Sequence, residues 1–279
     1  MPEGNIALMI QDASPSDTAA PRADAPITAA VLIVGNEILS GRTRDTNLAY
    51  LGRRLTELGI RVAEARVVAD VPAAIIDNLN ALRHAHRYVF TTGGIGPTHD
   101  DITAGCVAEA LGRSLVEHPE ARAILDARYG AEGLTEGRLR MARMPEGADL
   151  VANPVSAVPG FKIDNVHVLA GIPQVMQAMF ESLAPGLVGG PPLLSATVVA
   201  ALREGDLAGP LGAVQERHPE TEIGSYPFFG ERHYGANIVI RSADPLCLEE
   251  ALADVRQMVR DLGAVPESET AAVEVGAGA

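Results

Sequence analysis

Apolar residues from residue 27 onward alternate between short continuous runs and runs in which every third or fourth position is apolar. Residues 29–34 form a continuous apolar run of strand length, and the next apolar positions, over 48–58, recur at helical spacing. The same alternation continues with a strand over 61–68, a helix opened by Pro72 and a strand over 88–92. The pattern therefore predicts strand, helix, strand, helix and strand in succession.

The remaining chain extends this alternation. Further helices are predicted over 101–111, 119–129, 135–142 and 174–183, and a fourth strand over 166–170. Strands that alternate with long helices need crossover connections, and these connections place the strands parallel to one another. The predicted fold class is α/β, a three-layer αβα arrangement around a mainly parallel sheet. Ligands of such sheets bind at the carboxyl ends of the strands.

The chain is expected to contain two domains. Residues 185–192 combine prolines with flexible glycines, which is typical of a linker. We expect a first domain over 27–187 and a second over 193–264, where the pattern predicts a small α+β unit in the order βαββα. Residues 1–26 are interpreted as a flexible leader, and the acidic residues 265–279 as a flexible tail.

A glycine-rich turn follows the predicted strand over 88–92. Gly93, Gly94 and Gly96 leave the strand, and Pro97 and Thr98 come next. Glycines allow positive φ and bring backbone amides close to an anion, and the helix that follows adds further free amides. The spacing matches neither the Walker pattern nor the dinucleotide pattern GxGxxG. A plain turn followed by a helix cap uses the same residue types, so the turn alone leaves a phosphate cradle and a simple turn both open.

Four acidic residues follow the ends of the first three predicted strands. Glu37 follows the first, Asp70 the second, and Asp100 and Asp101 the third. Because these strand ends share one edge of the sheet, we expect the carboxylates to lie together. Clustered carboxylates repel one another unless a cation such as Mg²⁺ or Mn²⁺, bridging to a phosphate, neutralises them. Each acid taken singly is also a common helix cap. Their combined placement favours a metal–phosphate site.

Several motifs, in order along the chain, resemble the N-terminal domain of the CinA competence/damage-inducible protein family. The resemblance spans about residues 27–187 and is most specific in the pattern GGxGPTxDDxT over 93–103. The other matching segments are 35–41, 45–47, 68–70, 153–154 and 159–161. That domain has the molybdopterin-binding fold of MoaB, MogA and the pterin-binding part of gephyrin. The resemblance implies the same fold here, in a standalone form without the deamidase domain of full CinA.

The resemblance also implies chemistry at a phosphate. CinA-like domains are associated with metal-dependent cleavage of ADP-ribose-type pyrophosphates, and a similar domain accompanies FAD synthase in eukaryotes. The matched motif positions imply Asp70 and Asp101 as catalytic residues and, together with Asp100, as ligands of Mg²⁺, Mn²⁺ or Co²⁺. Contacts to a phosphorylated pterin, molybdopterin included, or to an adenine dinucleotide are implied for Gly35, Glu37, Asn47, Gly93, Gly94, Gly96, Pro97, Thr98, Thr103, Gly171 and Pro173.

Departures from the family pattern leave other functions open. The usual Asn-Pro-x-Gly-Thr-Ala-Pro-Gly is Asn-Pro-Val-Ser-Ala-Val-Pro-Gly at 153–160, and Ala170 stands where proline is common. The alternatives to a pyrophosphatase are a non-catalytic molybdopterin-binding protein, a molybdopterin adenylyltransferase-like role in molybdenum cofactor biosynthesis, and a scaffold that only oligomerises. His99, inside the glycine loop, is the one histidine we single out as a candidate proton donor or phosphate contact.

Charge and composition narrow the expected partners. The 22 Lys and Arg against 36 Asp and Glu give a net charge of −14, which disfavours nucleic acid as a partner. The second domain resembles the small KH-like module of some CinA proteins but has no basic GxxG loop, which argues against RNA.

No apolar run approaches the roughly 20 residues of a membrane-spanning helix. The two cysteines, Cys106 and Cys247, lie far apart in the sequence, so no disulfide framework is predicted. This fits a reducing compartment, and we expect the protein to be cytoplasmic. The Mog-like relatives imply a homo-oligomer.

Overall fold

The computed structural model of the protein describes residues 26–229, 234–266 and 269–270. Its first elements are β1 (Thr28–Val34), α1 (Asn36–Leu39), α2 (Asn47–Glu57), β2 (Arg61–Val68), α3 (Pro72–Ala85), β3 (Tyr88–Thr92) and α4 (Thr103–Ala110). They are followed by β4 (Leu115–Glu117), α5 (Pro119–Gly133), α6 (Glu136–Arg140), β5 (Arg143–Pro145), β6 (Asp149–Val151), β7 (Gly160–Ile163), β8 (Val166–Leu169), α7 (Pro173–Leu183) and a 3₁₀ turn (Ala184–Gly186). The remaining elements are β9 (Leu194–Ala200), α8 (Glu204–Arg217), β10 (Glu222–Phe229), β11 (Tyr234–Ser242), α9 (Pro245–Asp261) and β12 (Glu269–Thr270).

Six strands form the central sheet, in the order β2-β1-β3-β8-β7-β6. Strands β2, β1, β3 and β8 run parallel, whereas β7 and β6 are added antiparallel at one edge. A separate antiparallel sheet, in the order β10-β11-β9-β12, packs with α8 and α9. This confirms the predicted fold class, a mostly parallel α/β sheet with a separate small α+β unit. None of the described helices is long and apolar enough to cross a membrane.

Strand β1 contributes to a separate core on each face of the central sheet. Leu32 points toward α3 and packs in the same cluster as Ile75, while its neighbour Val31 packs with Leu51 of α2 and Phe180 of α7. All five of these side chains are fully buried. Burial on both faces explains why β1 reads as a continuous apolar run, since a strand with one wet face alternates instead.

Two features of the first unit differ from the sequence-based expectation. The sequence pattern gave no sign of β6 and β7, because strands of three and four residues are too short to show a periodicity. Helix α4 begins at Thr103 instead of residue 101, because the Asp101 carboxylate turns back and accepts a hydrogen bond from the Thr98 amide at 2.9 Å. The residues before Thr103 are therefore shaped into a loop.

The segment predicted to be a flexible linker is held closely against the first unit. Within residues 185–192, the amide of Gly190 donates to the carbonyl oxygen of Gly59 at 3.2 Å. A Cβ atom on Gly189 would lie 1.6 Å from the carbonyl oxygen of Leu58. The glycines here allow a close approach between two backbones, which no larger residue permits. This role corrects their interpretation as sources of flexibility.

We predict that Gly189→Ala lowers the free energy of unfolding by about 2–3 kcal/mol, because the added methyl group forces the two backbones apart. Gly186→Ala is the matched control, since a Cβ at Gly186 would meet no atom of the described residues within 4 Å. Urea unfolding of both variants measures the difference. Equal stability of the two variants would show that the backbone contact at Gly189 does not constrain the segment.

The small unit extends into the predicted tail. Glu269 pairs with Val198 and Thr270 with Thr197, so that β12 forms an edge strand beside β9. Two residues of the tail, predicted to be flexible, are thus part of a sheet. The predicted leader up to residue 25, and residues 271–279 of the tail, lie outside the described residues.

His167 is a buried histidine in the central sheet. Its ring stacks on Phe90 with centroids 5.0 Å apart, and only 6% of the residue is exposed. Burial lowers the pKa of His167 to about 4, because the charged imidazolium loses its hydration. The folded protein therefore holds this ring neutral at pH values where the unfolded chain binds a proton.

We predict that the free energy of unfolding falls by about 3 kcal/mol between pH 6.5 and pH 4 on account of His167. The direction follows from proton uptake: in this range the unfolded state binds the proton and the folded state does not, so acid favours unfolding. Urea titrations across this range should show a shallower pH dependence for His167→Phe. His84→Gln, at an exposed position, should leave the slope unchanged.

Candidate functional site

A cavity of about 520 Å³ opens at the carboxyl ends of β1, β3 and β8. One side is formed by the glycine turn after β3 and the other by residues 170–173 before α7. Apolar side chains line much of the rest, among them Ile95, Val158 and Met179. The cavity thus combines a backbone-rich edge with an apolar wall, which suits a ligand with a charged part and a ring.

The glycine turn has the backbone geometry that an anion site requires. Gly93 and Gly94 adopt φ of 101° and 68°, and a Cβ on Gly94 would lie 2.2 Å from the Thr103 hydroxyl oxygen. Within the described part of the chain, the amides of Gly94, Ile95 and Gly96 donate to no protein acceptor. Consecutive free amides of this kind form a concave nest that binds anions.

Two of the predicted ligand contacts hold the turn in place instead. Thr103 is fully buried, and its hydroxyl donates to the carbonyl oxygen of Gly93 at 3.0 Å. Its amide donates to the carbonyl oxygen of Gly94, also at 3.0 Å. Thr98 donates from both its amide, at 2.9 Å, and its hydroxyl, at 2.5 Å, to Oδ2 of Asp101. These bonds fix the shape of the turn, because they join Thr103 to its first glycines and Thr98 to Asp101.

The four predicted acids divide into two pairs. Glu37 and Asp101 line the large cavity. Asp70 does not line it, and its Oδ2 accepts a hydrogen bond from the amide of Asn36 at 2.8 Å, at the start of α1. Asp100 lies outside the lining as well, and the neighbouring polar groups of Thr98 lower the pKa of its carboxyl. Over the ranges that the structure describes, no three His, Cys, Asp or Glu side chains are grouped to hold a metal.

The two carboxylates facing the cavity differ in the number of hydrogen bonds that they accept from the protein. One oxygen of Asp101 is bound by Thr98, so only Oδ1 is left for a ligand. The Glu37 carboxylate lies over Gly35, where a Cβ would be 2.5 Å from Oε1. Among the described residues, Glu37 makes no side-chain hydrogen bond or ion pair of its own. Glu37 is thus the acid with the greater freedom to bind a cation or a water molecule.

The predicted residues Asn47, Gly171 and Pro173 are brought together beside the large cavity. The side-chain amide of Asn47 donates to the carbonyl oxygen of Gly171 at 2.8 Å, and Pro173 begins α7. Gly171 packs closely on the glycine turn, because a Cβ added to it would lie 3.3 Å from the Cα of Gly93. Asn47 therefore ties α2 to the loop that faces the turn.

Sequence reasoning missed several residues of the site. Thr43, Met141 and Met179 line the large cavity. Asn153, known from the motif only, uses its side chain to organise its own loop through bonds to the backbone of residues 155–158. Only the motif could have indicated Asn153, because single Thr and Met residues carry no local signal.

Charge in the cavity comes from acids and backbone amides. No Lys or Arg is among the described residues that line the large cavity, and Arg44 lines only a smaller one next to it. His99, the candidate proton donor, does not line the large cavity. An anionic ligand here needs either the free amides of the turn or a bound cation for neutralisation.

Comparisons with known proteins match both units of the chain. Residues 30–189 match the family described as probable molybdopterin binding domain, and residues 192–268 match the FAD synthase middle domain. A protein from Aeropyrum pernix is 36% identical over 254 residues, which cover 84% of this chain and 94% of the relative. A probable FAD synthase from Caenorhabditis elegans is 29% identical over 86% of this chain, which spans 51% of that protein.

A solved structure gives the same assignment for the first unit. CinA from Thermoplasma acidophilum, whose function is described as unknown, is 35% identical. The match covers 57% of this chain and 96% of that one, with a TM-score of 0.55.

Proposed function

This chain belongs to the molybdopterin-binding domain family, and we propose that it is a metal-dependent pyrophosphatase that cleaves nucleotides of the ADP-ribose or FAD type. One observation carries the proposal. The free amides of the glycine turn and the carboxylates of Glu37 and Asp101 line the same cavity, so an anion and a cation have adjacent places.

The residues present fit a cation that is shared with the substrate. Mg²⁺ is commonly held by one or two carboxylates and completed by phosphate oxygens and water, so a group of three protein ligands is not needed. Glu37 and Oδ1 of Asp101 would hold it. Bound there, a divalent cation neutralises charge on the phosphates and activates water.

The chain's own residues provide binding and orientation. Amides of the glycine turn bind phosphate oxygens and stabilise the charge that develops in phosphoryl transfer. The apolar wall, with Ile95, Val158 and Met179, accommodates a planar ring and excludes water from one side. Glu37, with no protein partner among the described residues, orients the attacking water. The substrate is held by backbone at one end and by packing at the other.

The comparisons support a nucleotide as substrate. The second unit matches a domain of FAD synthase, and the Caenorhabditis elegans relative is named a probable FAD synthase. Both names point to a flavin or adenine nucleotide with a pyrophosphate. An adenine dinucleotide fits this support better than a free pterin does.

A second candidate function is non-catalytic binding of molybdopterin or a similar pterin phosphate. It is favoured by the family description. Native mass spectrometry of the purified protein distinguishes the two functions. A bound pterin without any product from nucleotides would support the binding protein.

Incubation with FAD and ADP-ribose tests the proposed activity directly. The purified protein is mixed with either nucleotide and Mg²⁺, Mn²⁺ or Co²⁺, and the products are separated by chromatography. We expect AMP together with FMN or ribose 5-phosphate, and no product in EDTA. Intact nucleotides with all three metals would contradict the proposal.

A further inference from the structure

A second, smaller cavity of about 50 Å³ lies next to the large one. The two share four lining residues, which are Glu37, Thr43, Gly171 and Pro173. A ligand whose phosphates lie on the glycine turn can therefore reach the small cavity with another part of its structure. Its volume is enough for a small polar group, since a water molecule needs only about 10–15 Å³ of such volume.

Two buried polar groups of this cavity have no partner in the described part of the protein. They are Oδ1 of Asn47 and Oγ1 of Thr92, in residues that are 4% and 1% exposed. Both residues line the small cavity. A buried polar atom without a hydrogen bond is costly, so such atoms beside a cavity indicate that a ligand group or a water molecule binds there.

The orientation of Asn47 defines what its free atom can accept. Its Nδ2 donates to the carbonyl oxygen of Gly171 at 2.8 Å, and a flipped amide would place two oxygens against each other. Oδ1 is therefore fixed as an acceptor and needs a donor. The Thr92 hydroxyl can donate or accept, because it rotates.

These requirements exclude a phosphate from the small cavity. A phosphate has only acceptors at neutral pH and would meet both Oδ1 of Asn47 and the carboxylate of Glu37. Asp45 is already engaged, because it accepts a hydrogen bond from the amide of Leu48 at 2.9 Å. A hydroxyl group fits, since it donates to Asn47 and exchanges a second bond with Thr92.

We propose that the small cavity formed around Asn47 and Thr92 is a sugar-hydroxyl subsite, which takes a ribose hydroxyl of the nucleotide whose phosphates bind the glycine turn. This inference rests on the proposed function, because it places a nucleotide in the large cavity. It makes the protein selective for phosphate compounds that carry a sugar over simple polyphosphates. Thr92 and Asn47 are thus specificity residues of the site.

Thr92→Val tests the subsite, because it removes the hydroxyl and keeps the size of the side chain. Thr91→Val is a matched control: Thr91 is the preceding residue of β3, is fully buried and also has an unpartnered hydroxyl, but it lines neither cavity. Calorimetric titrations with ADP-ribose and with inorganic pyrophosphate, in Ca²⁺ to limit turnover, give the affinities. Thermal melts verify that both variants are folded.

We expect Thr92→Val to weaken ADP-ribose binding about fivefold to tenfold and to leave pyrophosphate binding unchanged. Thr91→Val should change neither affinity. An equal loss for both ligands, or no loss for either, would overturn the subsite. A wild-type protein that binds neither ligand would refute the proposed function itself, and that result is read from the wild-type titrations alone.

Deoxynucleotides then identify the hydroxyl. ADP, 2′-deoxy-ADP and 3′-deoxy-ADP are compared on the wild type and on Thr92→Val. A deoxy ligand that loses affinity only on the wild type assigns the subsite to the adenosine ribose. If Thr92→Val weakens the binding of ADP-ribose but not of ADP, the subsite is assigned to the second ribose. If it weakens the binding of neither, the hydroxyl assignment is overturned.

Discussion

Glu37→Gln is expected to lower kcat for FAD or ADP-ribose cleavage about a hundredfold or more at saturating Mn²⁺. The amide keeps the shape of the side chain but neither neutralises a cation nor orients water as a base. Glu37 is the acid of the cavity that no protein group engages among the described residues. Steady-state kinetics with product chromatography measures the change.

Asp70→Asn is the informative comparison for this experiment. Asn retains an oxygen that can accept the hydrogen bond from the Asn36 amide, so the structure predicts that Asp70→Asn keeps most of its activity. The sequence resemblance instead implied Asp70 as catalytic. Normal turnover by Glu37→Gln together with an inactive Asp70→Asn would favour the sequence-based assignment over the geometry.

Gly94→Ala is expected to abolish measurable binding of ADP-ribose. Its φ of 68° disfavours any side chain, and the added Cβ would lie 2.2 Å from the buried Thr103 hydroxyl oxygen. The turn must move to relieve this contact, and the free amides move with it. We expect a loss of affinity above about a hundredfold, since several charge-assisted hydrogen bonds are lost together.

Gly112→Ala separates the cost of positive φ from the effect on the site. Gly112 has φ of 63°, yet a Cβ there would meet no atom within 4 Å in the part of the chain that the structure describes. In both variants the free energy of unfolding should fall by about 1 kcal/mol, because alanine at a positive φ is strained. Only Gly94→Ala should lose binding in calorimetric titrations. Unchanged affinity of a folded Gly94→Ala protein would contradict the cradle.

Most of the predicted secondary structure depends on local pattern, and this explains its accuracy. The bounds of β2 and β3 agree with the prediction residue for residue. Gly59, directly after the predicted helical positions 48–58, has a positive φ of 68°, as is common for a glycine that ends a helix. Short strands and the antiparallel edge of the sheet depend on pairing with distant residues, so the sequence pattern gave no sign of them.

The role of the glycines in residues 185–192 also depends on contacts with distant residues. Glycines that give flexibility and glycines that allow close packing are the same residue in a sequence. Only the contact of Gly189 and Gly190 with Leu58 and Gly59, about 130 residues away along the chain, distinguishes the two roles.

Sequence alone determined the α/β class, the family resemblance and the glycine turn, because each is encoded by neighbouring residues. The tertiary structure decided which acids face the cavity: Glu37 and Asp101 do, whereas Asp70 binds the amide of Asn36, 34 residues away. It also disclosed the unpartnered atoms of Asn47 and Thr92. A carboxylate after a strand has the same local signal whether it caps a helix or binds a metal, so its role depends on partners that only folding brings near.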